Sequence, residues 1–414
     1  MAGVAGSGIQ AICRGRAGFG RGCLARVFGL GGTGGGPLNG AVREPPVLRP
    51  IDATHVEVRG RRLLAFVGSD YLRMSWHPAV RRGGEVGIRQ YGTGACASRM
   101  TTGNLPIYGE LETALKRYFS VGSATLTSAG YTAPMVAVQA LAAEHDQVLV
   151  DAKAHGCLVD AALVSGLPTS RFEHSSAVDL ERELDRLARG QRALVLVNGL
   201  DPVDGTVGPL EAFKALVGQR GTLLVDDAHG VGVLGSRGRG CLEWAGLGFG
   251  GVVVTLTLSK TFGSYGGVVL GEPELRERIL TRSRIFTGNT PPAPASVSAS
   301  LASVSVLQRE GERLRARLRE NLERFPARIR GLGAGGDPGP GPMFAVKPAS
   351  DRDAERLRLR LLRAGIYPSL IRYPNGPSAQ FFRFAISSAH TGEQVARLAE
   401  AIEGWLAKGG GNIV

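Results

Sequence analysis

Two periodicities divide this chain. Short runs of apolar, mostly β-branched residues recur at 124–127, 147–151, 193–197, 222–226 and 251–258. Such runs, bounded by Gly, Asp and Ser, predict buried strands. The stretch 132–143 carries a helical pattern, and a helix is expected to start within 104–112. Strands alternating with helices predict an α/β fold with a large, doubly wound, mostly parallel sheet. The pattern differs at both ends. Val56 and Val58, then Gly60, then Leu63, Leu64 and Phe66 predict a small hairpin. After a charged helical stretch beginning near Arg309, the runs 343–346 and 381–386 read as strands, and 351–364 and 392–408 as helices. The expected division is therefore an N-terminal arm and hairpin segment (1–75), a large domain (76–308) and a C-terminal α+β domain (309–414).

Two of the predicted strands end in chemistry. The run 251–258 leads into Ser259 and Lys260, followed by Gly263, Gly266 and Gly267. Lysine is scarce in this Arg-rich chain. An amine at the mouth of a buried strand must reach water, find a partner or lose its proton. A deprotonated lysine is a nucleophile that forms a Schiff base with an aldehyde, and pyridoxal phosphate is the commonest aldehyde cofactor. A solvated strand-end lysine is the plain alternative. The run 222–226 ends in Asp226, with His229 three residues on. A carboxylate suits the cofactor's pyridine nitrogen, and a histidine suits its phenolic oxygen. Side by side and parallel, the two strands would present these groups to one crevice, where open α/β sheets bind ligands.

These residues carry a resemblance. Val225-Asp-Asp-Ala-His-Gly-Val-Gly-Val-Leu-Gly235 with Gly238-Arg-Gly240, and Thr257-Leu-Ser-Lys-Thr-Phe-Gly-Ser-Tyr-Gly-Gly267, resemble motifs of the α-oxoamine synthases, fold-type-I enzymes that use pyridoxal 5′-phosphate. The 8-amino-7-oxononanoate synthase and 2-amino-3-ketobutyrate CoA ligase branches are nearest in look. The similarity runs from about Gly60 to the C-terminus. It implies an acyltransferase that condenses an amino acid with an acyl-CoA and releases coenzyme A and carbon dioxide. Lys260 would hold the cofactor and move the α-proton. Asp226 would face the pyridine nitrogen and His229 the phenolic oxygen. His155 would stack on the ring. Ala129, Gly130 and Tyr131, in a turn feeding a helix, would cradle the phosphate. Arg383 would clamp the substrate carboxylate, a task suited to a bidentate guanidinium. Thr287 would reach the phosphate bound in the other subunit, which implies a homodimer with shared sites. The chain departs from the family pattern at Ser69, Arg73, Tyr108, Ala129, Pro134 and Pro202. Ala129, Pro134 and Pro202 each remove a polar contact that relatives make.

Bulk properties add constraints. The 414 residues carry a formal charge of +13. A polyanion such as coenzyme A fits this charge. Nucleic acid fits charge alone, since no nucleic-acid motif accompanies it. The five cysteines have no metal spacing and suit a reducing cytoplasm, and no metal is expected. No apolar run reaches a membrane span. Residues 1–45 bear arginines and no acid before Glu44. They read as the family's N-terminal arm or a disordered segment in preference to a transit peptide. Two further readings keep the same lysine: an aminotransferase or related lyase, and a catalytically inactive subunit of a synthase heterodimer.

Overall fold

The computed structural model describes residues 46–331, 338–371 and 380–409. The expectation for residues 1–45 lies outside them. The largest sheet has seven strands: β4 (Ser123–Thr127), β5 (Gln147–Asp151), β6 (Thr169–Phe172), β7 (Ala193–Asn198), β8 (Gly221–Asp226), β9 (Val252–Thr257) and β10 (Gly267–Gly271). Their spatial order is β4-β10-β9-β8-β7-β5-β6. Strands β6, β5, β7, β8 and β9 are parallel neighbours, while β10 runs antiparallel to β9 and β4. The sheet is thus mostly parallel, as the alternation of strands and helices predicts.

Helices cover both faces, and the strand sequences show it. Val195, Val197, Leu223, Val225, Val254 and Leu256 pack into one apolar cluster. Leu194, Leu196, Leu224 and Val253, their neighbours along the same strands, pack into another. With water excluded from both faces there is no polar position to alternate, so the strands read as unbroken apolar runs.

Two smaller antiparallel sheets complete the fold. The first is β1-β2-β3, formed by Arg49–Pro50, His55–Val58 and Arg61–Leu64. The second is β11-β13-β12, formed by Met343–Val346, Phe381–Ala385 and Leu370–Ile371 in that order. Backbone bonds tie them together: Leu64 N–H donates to Gly365 O at 2.8 Å, and Ala385 N–H donates to Phe66 O at 2.9 Å. Phe382 and Phe384 are fully buried on one face of β13. Period-two alternation therefore sends the side chain of Arg383 to the other face. Helix Pro294–Arg324, 31 residues long, runs through the position expected as the second domain boundary. Its first half, 294–308, is mostly Ala, Ser and Val and is largely buried, so the charged pattern after Arg309 marks only its second half.

Candidate active site

Strands β8 and β9 set the site. Asp226 is the last residue of β8 and pairs in register with Thr255 of β9. Five residues beyond Thr255, past the end of β9, the chain reaches Lys260. Both groups therefore open at the C-terminal edge of the parallel strands, on one cavity of about 300 Å³. Its lining includes Gly130, His155, Asp226, His229 and Lys260. Residues far apart in sequence thus meet as expected from the strand-end pattern.

The Lys260 side chain borders this cavity, yet its amine sits deep. Burial lowers its pKa to about 8, Asp226 opposes that shift, and Arg383 adds to it. The amine makes no hydrogen bond among the described residues. It is a nucleophile held near neutrality.

His155 caps helix Gly156–Ser165, and its Nδ1 accepts from Cys157 N–H at 3.3 Å. Nδ1 is therefore bare and the ring proton sits on Nε2. Burial depresses the His155 pKa, and Asp226 opposes this. Its own backbone N–H donates to Asn198 Oδ1 at 3.1 Å. Cys157, buried beneath the histidine, places Sγ 3.0 Å from His155 Nδ1 and donates to Asp226 Oδ2 at 3.4 Å. Burial and the adjacent Asp226 charge push the thiol far above its ordinary pKa. It stays protonated, as a donor. The imidazole, thiol and carboxylate ligand atoms lie within 4.8 Å of one another. A metal would need the thiolate, which this setting disfavours.

The phosphate-cradle turn differs in detail from its sequence reading. The Ala129 N–H is engaged by Thr132 Oγ1 at 3.3 Å. The amide left without a partner among the described residues is that of Gly130. A Cβ at residue 130 would meet the Thr257 Cβ at 2.4 Å. Only glycine lets the turn lie this close to β9. The Tyr131 hydroxyl donates to Asp160 Oδ2 at 2.6 Å, and its ring meets His155 edge-on. Several hydroxyls lie near Ala129, which offers none of its own. Ser128 and Thr132 hydroxyls lie 3.1 Å apart, and Thr257 and Ser259 hydroxyls, 2.7 Å apart, line the cavity. The signal for Ser259 was its place beside Lys260, and Thr257 opens the same motif.

Arg383 reaches across from β13, and its Nε donates to Pro202 O at 2.7 Å. Pro202 thus contributes a backbone carbonyl, where the family resemblance implies a side-chain hydroxyl. Thr287, at the end of the short helix Arg284–Thr287, does not line the cavity of its own chain. Its hydroxyl donates to Arg284 O at 3.4 Å, and its carbonyl accepts from Ser98 Oγ at 2.6 Å.

Pyridoxal phosphate fits this donor set. The observations are an unpaired amine, a carboxylate at the adjacent strand end, a glycine turn with a spare amide, and two cavity-lining hydroxyls.

The comparisons agree with this geometry. The class I and II aminotransferase family model matches residues 68–402. A putative 8-amino-7-oxononanoate synthase of Desulforudis audaxviator is 36% identical over 84% of this chain and 90% of its own. An 8-amino-7-oxononanoate synthase of Thioalkalivibrio sulfidiphilus is 35% identical over 88% and 93%. Among solved structures, serine palmitoyltransferase of S. paucimobilis with bound PLP and myriocin superposes with a TM-score of 0.80. It is 26% identical and covers 87% of this chain and 92% of its own. The chain belongs to the class I and II aminotransferase family, and within it to the α-oxoamine synthases. An 8-amino-7-oxononanoate synthase of Stutzerimonas stutzeri is likewise 37% identical over 87% of this chain and 92% of its own.

Proposed function

We propose that this chain is a pyridoxal phosphate-dependent acyltransferase of the 8-amino-7-oxononanoate synthase type. It joins an amino acid to an acyl-CoA and releases coenzyme A and carbon dioxide. The observation that carries the reading is the Lys260 amine, with a pKa near 8, on the same cavity as Asp226, His155 and His229. When bound, the cofactor supplies an electron sink for the carbanion formed at the amino acid's α-carbon.

The chain's own groups do the rest. Lys260 holds the cofactor and, once released, moves the α-proton. Its pKa suits that role at neutral pH. The Asp226 carboxylate holds a proton on the pyridine nitrogen. His155 presents Nε2–H, a donor suited to the acyl carbonyl oxygen. Arg383 has Nε committed to Pro202, which leaves its other N–H groups to grip a carboxylate. Gly130 N–H with the Thr257 and Ser259 hydroxyls holds the phosphate. The enzyme is a homodimer in which Thr287 serves the other subunit's phosphate. This accounts for its place outside its own cavity. The working compartment is the cytoplasm. In support, no helix among the described residues is long and apolar enough to cross a membrane, and Cys96, Cys157 and Cys241 are free thiols.

The test is a screen of glycine, alanine and serine against short and long acyl-CoAs, read by release of free thiol. Thiol release that requires both substrates is the expected result. Amino-group transfer to a 2-oxo acid without thiol release would reject the synthase reading in favour of an aminotransferase. A purified protein that binds no cofactor would point to an inactive subunit.

A further inference from the structure

We infer that Tyr71 is a positioning residue: its hydroxyl fixes His229 as the Nε2–H tautomer. Tyr71 is 1% exposed. It lies 158 positions before His229, and its hydroxyl oxygen sits 2.7 Å from His229 Nδ1.

Proton counting then settles the direction. A phenol has one proton, and His229 Nδ1 is the acceptor within hydrogen-bond distance of it among the described residues. With Nδ1–H donating to Tyr71 instead, a buried phenol proton would be left with no acceptor, a costly arrangement. The Tyr71 proton therefore goes to His229 Nδ1. The ring is neutral. Burial holds its pKa well below the ordinary value, and Lys260, Arg383 and His155 add repulsion. A neutral imidazole that accepts at Nδ1 carries its proton on Nε2.

His229 Nε2 has no partner among the described residues, and His229 lines the cavity. That N–H is left as a fixed donor to a ligand oxygen. On the cofactor reading above, on which this step rests, the oxygen is the phenolic one.

Nitrogen-15 NMR of the apoprotein reads the tautomer without any ligand. The expected result is a protonated Nε2 and a bare, hydrogen-bonded Nδ1 on His229. A protonated Nδ1 in the wild-type protein overturns the inference with no variant needed. Tyr71→Phe should convert His229 to a mixture of tautomers. In the cofactor-loaded protein the same variant should move the pH titration of the cofactor's visible band upward by about half a unit or more, because the phenolic oxygen loses a fixed donor. A purely structural tyrosine would move neither readout, so an unchanged tautomer and titration reject the inference. If the loaded wild-type protein shows no visible cofactor band, the cofactor reading fails, and the apoprotein measurement still decides the role of Tyr71.

Discussion

The Cys157 thiol donates to Asp226 Oδ2 at 3.4 Å. Thr255 Oγ1 approaches the other carboxylate oxygen at the same distance. Asp226 is thus oriented from below by a strand neighbour and by a helix residue next to His155. Cys157→Ala should loosen the carboxylate and weaken cofactor retention about fivefold, the scale of one modest hydrogen bond. Cys157→Ser should restore it. Equilibrium dialysis of the cofactor from both variants checks this, and equal affinity in all three proteins would remove Cys157 from the network.

Lys260→Ala should abolish the cofactor's covalent attachment and lower turnover by on the order of 10³ or more, with the fold intact by circular dichroism. In the wild-type apoprotein, capture of the aldehyde needs the neutral amine. With the pKa lowered to about 8 by burial, capture should speed up about tenfold per pH unit below 8 and level off above it. Stopped-flow absorbance follows this directly. A plateau reached only near pH 10 would mean an unperturbed, solvated lysine.

Asp227, next to Asp226, is 1% exposed, and burial raises its pKa to about 7. Its Oδ2 accepts from Cys241 N–H at 2.7 Å, while Oδ1 has no partner among the described residues. A carboxyl whose folded pKa is raised favours the folded state in its protonated form. Its contribution is full below about 4 and is lost as pH rises through about 7. The loss is on the order of a few kcal/mol. Asp227→Asn should therefore flatten the fall in urea midpoint between about pH 4 and pH 7. Parallel pH profiles for wild type and variant would show that Asp227 is not the titrating group.

The proposed dimer with shared sites makes a quantitative prediction. Lys260→Ala and a bulky substitution at Thr287 should each be inactive. Co-expressed, they should regain roughly a quarter of wild-type activity, because about half the dimers are mixed and each mixed dimer has one intact site. Verified mixed dimers without activity would place both residues in one chain's site.

Much of this was legible in the sequence, and the reason is local. Asp226, His229 and Lys260 follow strand ends marked by apolar runs, and parallel neighbours bring their C-terminal edges together. The pairing of Tyr71 with His229 was not legible, since it spans 158 positions and no periodicity encodes it. Strand β10 was not anticipated at all. Its five residues form a short apolar run that carries no mark of direction, and its antiparallel course follows from the tight return after Gly263. The Ala129 amide was expected to be free because a turn before a helix usually leaves such groups open. A threonine three residues on closes it.

The bond from Arg383 to Pro202 ends on a main-chain oxygen. Every residue type supplies that oxygen, so the arginine's anchor is indifferent to which side chain stands at 202. A serine or a proline at 202 can each present it without releasing the arginine, so a substitution there alters only what the side chain itself adds to the cavity wall.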